Sequence, residues 1–435
     1  MSVSFPMAEA TGNLGPQNWL VAPSTRAVIA ALTADGTEVR FVGGCVRDAI
    51  VNRPISDIDI ATPDLPQRVI KLLEAAGIKA IPTGIGHGTI TAIADGMVFE
   101  VTTLRVDVST DGRRAEVAFT DDWIADALRR DFTINTFSAT PDGEFFDPFN
   151  SFSDLSCGQI RFVGNPTTRI EEDVLRILRF FRFYAHYGRL PLSVEALAAC
   201  RMHAALLPSL SGERVRGELL RILAAPDPAN ILMLMHGVGV LHQILPEVGE
   251  HAGHIGHLRV LQWLDTTGLY QKSVCLDPLR RLAVVLDTDA LGVAAASERL
   301  RLSRADAARL AALAVPECYI APGMDENNLR RSFYSLGPDR VRDLALISWA
   351  GERAANETPA LARTGSWEAI LEAAEAWKPI EFPLKGRDAI ALGMTQGPSM
   401  GKALANVETW WQDGGCRFSR NECLVRLAAE VASTS

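Results

Sequence analysis

The chain has 435 residues, 48% of them hydrophobic and 22% charged, which excludes collagen, a disulfide scaffold and an intrinsically disordered chain. At roughly 100–200 residues per domain, about two to four domains are expected, with cores large enough to need no disulfide or structural metal. The net charge of −9 excludes nucleic-acid binding through bulk positive charge but leaves room for a local basic surface.

The N-terminus, MSVSFPMAEATGNLG, has neither a basic nor an apolar leader region, so no secretory signal is expected. Residues 38–42 predict a strand running into Gly43-Gly44. Residues 55–61 predict a second strand, with apolar side chains at alternate positions, and 65–75 a helix with Pro66 in its first turn. Strands are expected at 89–94 and 98–106 around Asp95-Gly96, then a polar loop over 107–114, a short strand at 117–120 and a helix at 121–128. Beyond Pro166 the pattern turns helical. A long helix is predicted over 170–187, with further helices at 212–223, 231–236, 258–264, 279–286, 307–314, 341–348 and 367–377. The weakly polar run 228–246 is broken by Asn230, His236, Gly237, Gly239 and His242, so it predicts buried helices around a turn, not a membrane span. Seven scattered cysteines with no C-x-x-C pair predict reduced thiols in a cytoplasm. The expected fold class is α+β, an α/β head followed by an all-α body.

Two constellations carry chemistry. In the first, Phe-Val-Gly43-Gly44-Cys-Val-Arg47-Asp48 joins a strand, two glycines and a helix start, either a plain turn or a place where a phosphate approaches the backbone with Arg47 beside it. Twelve residues on, Asp57 and Asp59 share one face of a strand. Paired carboxylates repel unless a cation separates them, and oxygen-only ligation suits Mg²⁺. An acid-defended strand edge is the plainer explanation for either carboxylate alone. Glu100, on a neighbouring strand, is a candidate third carboxylate for a two-metal site. In the second constellation, Arg129-Arg130-Asp131-Phe-Thr-Ile-Asn135 offers Arg130 to a triphosphate and Asn135 to ribose or metal-bound water, or is a salt-bridged helix end. Farther on, Asp173, Arg176, Arg179 and Arg182 stand three apart on the predicted helix, with apolar residues between. A carboxylate and a guanidinium together match the Watson–Crick edge of C or A and disfavour G and U; an intrahelical ion pair is the simpler alternative.

These segments in this order (FVGGCVRD with DID, FEVTTLR, DGRRAEVAFT, RRDFTINTF, FFDPFNSFSDL, RIEEDVLRILRFFRF and LSGERVRGELLRIL) resemble the class II tRNA nucleotidyltransferase and bacterial poly(A) polymerase family. LKGRDAIALGMTQGPSMGKAL is similar to its tail segment. The resemblance implies a polymerase-β-like nucleotidyltransferase head at 38–165, preceded by an extension and helix at 1–37. It implies a helical base-recognition and RNA-binding region at 166–250 and an all-helical tRNA-binding body and tail at 251–435. It implies Mg²⁺ on Asp57 and Asp59, with Glu100 the third catalytic carboxylate. Gly43, Gly44, Arg47 and Arg130 would hold the triphosphate. Asp173 and Arg176 would template the base, and Arg179 and Arg182 would support base or phosphate. CTP and ATP are the implied substrates and the tRNA 3′ end the partner. Within the family, the run 105–114 looks like the loop that switches specificity from CTP to ATP, which favours CCA addition over poly(A) synthesis. Thr136 and Ser151 depart from the common Ala and Gly of the family.

Three remaining features have two readings each. His251, His254 and His257 suit a surface metal site or, with Gly253 and Gly256 among them, a polar connector, the better guess. Trp410-Trp411 suits stacking on nucleic acid or helix core, and Gly397-Pro398 a phosphate-facing helix start or a plain cap. Arg214, Arg216 and Arg221 are candidates for lining an RNA groove.

Overall fold

In a computed structural model of the chain, residues 9–110, 115–249, 253–266, 274–355 and 363–434 are described. The chain folds as two units. One holds Met1–Ile222 with Leu234–Ile244, the other Leu223–Met233 with Leu245–Ser435.

The first unit opens with β1 (Gly12–Asn13), α1 (Asn18–Val21), α2 (Pro23–Leu32), β2 (Arg40–Val42), α3 (Gly44–Ile50), β3 (Ile58–Thr62) and α4 (Pro66–Ala75). It continues through β4 (Lys79–Gly84), β5 (Thr89–Ala94), β6 (Met97–Thr103), β7 (Arg105–Thr110), β8 (Ala115–Phe119), α5 (Trp123–Leu128), β9 (Ser138–Ala139), β10 (Glu144–Phe146) and α6 (Ser151–Cys157). The helices α7 (Pro166–Glu172), α8 (Arg176–Tyr187), α9 (Val194–His203) and α10 (Gly212–Leu223) follow, then α11 (Pro228–Gly237), whose two halves fall in different units, and α12 (Val240–Ile244).

Eight strands form one sheet in the order β1-β10-β9-β2-β3-β6-β5-β4; β7 and β8 form a separate hairpin. Among the described strands of the sheet, only β3 and β6 pair in parallel. Alternation sends Phe41, Ile58, Ile60, Phe99 and Val101 to one buried face. Val28 and Leu32 of α2 and Val69 and Leu73 of α4 are buried with them, and both helices pack on β5. Each such side chain removed from water contributes about 1.5–3 kcal/mol before chain entropy is subtracted.

The sheet-bearing head and helical remainder match the expected class, and among the described residues no strand follows β10. Two local expectations are corrected. The polar loop at 107–114 is largely a β-hairpin: Val106 pairs with Ala118 and Thr110 with Ala115, with residues 111–114 outside the described set. The long helix at 170–187 is broken at 173–175. Asp173 is extended at φ −153°, and its Oδ1 accepts from the Leu175 amide at 3.1 Å, a short Asx turn that competes with helical bonding.

The second unit is helical, and several helices start earlier than their apolar pattern because a cap precedes it. Asp277 caps Pro278–Val285 and Ser303 caps Arg304–Ala314. Trp411 is buried and donates to Phe418 O at 3.0 Å, while Trp410 stacks on Phe418 at 4.0 Å, so this pair belongs to the tail core with Leu384 and Leu427. His254 lies 3.6 Å from Asp287, and the His254 and His257 rings are 5.1 Å apart; His251 lies outside the described residues. Among the described residues, no helix is long and apolar enough to cross a membrane.

Candidate active site

β3 buries Ile58 and Ile60 and leaves Asp59 on the opposite face of the sheet. Asp57 stands just before the strand, exposed, and accepts from Ser56 Oγ at 3.0 Å. In the parallel register Asp59 lies opposite Glu100, so both carboxylates leave the same face of adjacent strands. Burial pushes the Asp59 carboxyl up, Glu100 adds to this, Arg130 opposes it and Asp57 adds again; the balance is about 6. Two acids thus destabilise the charge of a third, the condition a bound cation relieves. Among the described residues no group of three His, Cys, Asp or Glu side chains is placed to hold a metal ion, so Asp57, Asp59 and Glu100 are not gathered here as a three-ligand site. One or two carboxylates are enough for a Mg²⁺ ion that keeps waters and takes further oxygens from substrate phosphates.

Gly43 follows β2 with φ +71°, a backbone that favours glycine, and a Cβ there would meet Arg130 Nη1 at 2.9 Å and displace the end of that side chain. Arg130 also donates to Asn135 O at 3.1 Å and pairs with Asp126 at 3.3 Å. Burial pushes the Asp126 carboxyl up, but Arg130 and Arg129 outweigh it and hold it below the usual range. A cavity of about 390 Å³ beside Arg130 is lined by Arg40, Trp123, Asp126 and Phe146 but by none of Asp57, Asp59 and Glu100.

Gly44 opens α3, and Arg47 one turn later is buried. Its guanidinium donates to Asn135 Oδ1 at 2.6 Å and to both Asp48 carboxylate oxygens at 3.1 and 2.9 Å. Tyr187 of α8 donates to Asp48 at 2.6 Å. Asn135 passes the network to Asp131 at 3.0 Å, and Asp131 accepts from Arg179 of α8 at 2.5 Å. Burial opposes the charge on Asp131, but Arg179 holds its carboxyl below the usual range. Arg47 and Arg179, expected at the ligand, are in this structure two members of one internal chain that leaves α8 at Tyr187 and returns at Arg179.

The remaining candidates occupy the α7–α8 junction. The Asp173 carboxylate accepts from Arg214 at 2.8 Å, so its ionic partner lies on α10 and not at Arg176 as the helical spacing implied. Arg176 instead joins Glu172 and donates to Arg169 O at 2.8 Å and Arg129 O at 3.3 Å. Arg182 pairs with the buried Glu218 at 2.6 Å. Arg221 also pairs with Glu218, at 3.6 Å. Sequence reasoning missed the roles of Asp131, Glu172, Glu218 and Arg169 as partners. Glu172 had a local signal, three residues from Arg169 and four from Arg176, and Glu218 had one in Arg221 three residues on; the pairs Asp131–Arg179 and Arg182–Glu218 had none.

The family described as "Poly A polymerase head domain" matches residues 39–161, and "Probable RNA and SrmB- binding site of polymerase A" matches 191–251. The head is therefore a nucleotidyltransferase. CCA tRNA nucleotidyltransferase 1, mitochondrial, of Danio rerio is 33% identical over 402 residues, 90% of this chain and 87% of that one. The Homo sapiens protein of the same name is 32% identical over 89% of this chain and 86% of its own length. The Bacillus stearothermophilus CCA-adding enzyme in complex with CTP superposes with a TM-score of 0.76 at 25% identity, covering 95% of this chain and 99% of that one. The chain belongs to the class II CCA-adding tRNA nucleotidyltransferase family.

Proposed function

We infer that this protein adds C, C and A to tRNA 3′ ends, transferring CMP twice and AMP once from CTP and ATP with release of pyrophosphate. The observation that carries it is the pairing of Asp59 with Glu100 on one sheet face, with Asp57 just before the strand and close enough to raise the Asp59 carboxyl, in a chain one-third identical to CCA tRNA nucleotidyltransferases over nine-tenths of its length. The relatives matched along most of this chain carry that name, which favours it over poly(A) synthesis.

Asp57 and Asp59 would hold Mg²⁺, which when bound supplies positive charge to the triphosphate and the attacking hydroxyl. Gly43 and Gly44 leave room for phosphate oxygens, and Arg130, beside Gly43, is the side chain proposed to grip them. Glu100, opposite Asp59 in the register, would add a third carboxylate to the pull on a cation. Asp173 and Arg176 are proposed to face the incoming base; their backbone and ion pairs fix both groups before a nucleotide arrives. The work of the protein is then positioning and charge stabilisation. We place it in a reducing compartment, the cytoplasm, because all seven cysteines are unpaired.

The test is incorporation on a tRNA lacking its last three nucleotides, with Mg²⁺ and CTP, ATP or both. Two C residues from CTP alone and one further A once ATP is added are expected; long A tails from ATP alone would replace this function with poly(A) synthesis. In the same assay Asp173→Ala should admit UTP or GTP at least about 10-fold more often, the scale of one lost hydrogen-bonding partner. Unchanged discrimination would remove Asp173 from base reading.

A further inference from the structure

The helix α5 ends at Leu128, where backbone carbonyls lack partners within the helix. Three consecutive carbonyls here are taken by two guanidinium groups of the α7–α8 segment. Arg169 donates to Leu128 O and, at 2.7 Å, to Arg130 O; Arg176 donates to Arg129 O at 3.3 Å. Glu172 stands between the two arginines, bonded to Arg169 at 2.6 Å and to Arg176. Arg176 also donates to Arg169 O at 2.8 Å, which closes the cluster. Its side chains are mostly shielded, Arg169 and Arg176 at 12% exposure each.

Two features set this cluster apart from an ordinary helix-end ion pair. First, Arg169 Nε is buried without a partner, a cost that an apolar packing residue would avoid. Second, it joins the two halves of the proposed nucleotide site. Arg130 hangs by its carbonyl from Arg169, and its side chain arrives beside Gly43. Four residues after Arg169, the same segment carries Asp173 and then Arg176. The triphosphate-gripping arginine and the base-reading pair are thus tied through one guanidinium spanning two carbonyls.

We propose that Arg169 is a positioning residue that sets the spacing between the triphosphate and base subsites, so that only a nucleotide fitting both at once is held productively. The proposal rests on the CCA-adding reading. Arg169 touches no substrate; it acts through Arg130 and Arg176.

The test compares full-length wild type with Arg169→Lys and Arg169→Met. Lysine keeps the charge beside Glu172, but its single nitrogen on a shorter side chain cannot hold Glu172 and both carbonyls at once, as Nη1 on Glu172 and Nη2 on the two carbonyls do in Arg169. Both variants should raise KM for CTP and for ATP by about 10-fold or more, since misplacement on the ångström scale has effects of this size. Both should also incorporate UTP more often, and the melting temperature of the lysine variant should stay within a few degrees of wild type. Direct titration with CTP and with ATP, without tRNA, reads the spacing independently of the products formed. Weaker binding of both nucleotides by Arg169→Lys supports the proposal, and wild-type affinity and discrimination in that variant overturn it. Products other than C, C and A from the wild type would fell the functional reading and leave the titration to decide this one.

Discussion

Replacing Asp57 and Asp59 together with alanine is expected to lower nucleotide incorporation by about 10³-fold or more, the scale on which removing groups that stabilise transition-state charge acts. The fold should survive. Asp57 is exposed and among the described residues accepts from its neighbour Ser56, and Asp59 sits on the sheet face away from Ile58 and Ile60. Burial first, and the charges of Glu100 and Asp57 after it, raise the Asp59 carboxyl, so removing the two acids relieves both costs and thermal stability should stay level or rise. tRNA binding by filter retention and the melting temperature serve as controls. Incorporation within about tenfold of wild type would take the two carboxylates out of the chemistry.

Asp265→Ala is expected to destabilise the second unit by about 3–5 kcal/mol, the cost of leaving buried charge uncompensated. The Asp265 side chain is wholly shielded and accepts from Arg280 at 2.8 Å and from Arg281 Nε at 3.0 Å. Arg281 also donates to the Leu223 and Ala225 carbonyls at 2.7 and 2.9 Å, which fastens Leu223–Met233 to this unit. Arg280 and Arg309 share Asp343, and Arg309 reaches Asp277. Arg280 keeps Asp343 in the variant, whereas Arg281 keeps only neutral carbonyls. Pairing Asp265→Leu with Arg281→Met should therefore recover part of the loss, because apolar replacement of both partners removes the stranded charge. Urea unfolding followed through tryptophan fluorescence measures both, Trp349 and Trp367 being stacked within this unit. A loss below about 1 kcal/mol for Asp265→Ala would mean that water enters the network.

Much of the first unit was legible because its signals are local. Alternation in β3, Pro66 at the start of α4 and the glycines before α3 each act within a few residues. The register that sets Glu100 beside Asp59 joins residues 41 positions apart and follows from which faces are buried, something no short window contains. The break at Asp173 was written in the sequence as an aspartate able to bond its own chain two residues on, but apolar periodicity on both sides reads straight through it. Its partner Arg214 and the Asp131–Arg179 pair lie 41 and 48 residues apart, beyond any spacing rule. Helix starts were misplaced because Asp277 and Ser303 extend helices past their apolar stripe. The proposed ligand residues were identifiable by type, while the internal bonds that occupy Arg47, Arg176 and Arg179 became visible only once the chain was folded.

The path of the chain between its two units bears on how the protein is made. The first unit is interrupted: it runs to Ile222, the next eleven residues belong elsewhere, and Leu234–Ile244 returns to it. That return carries Val240, Leu241 and Ile244, all buried, and α12 packs on the turn at Ala204–Ser209. A ribosome that has released residues up to 222 has therefore not yet released all of this unit's core. The helical part of this unit around Ala204–Ser209 is completed only when residue 244 has cleared the exit tunnel, and a fragment cut at 222 would leave apolar surface open to chaperones and aggregation.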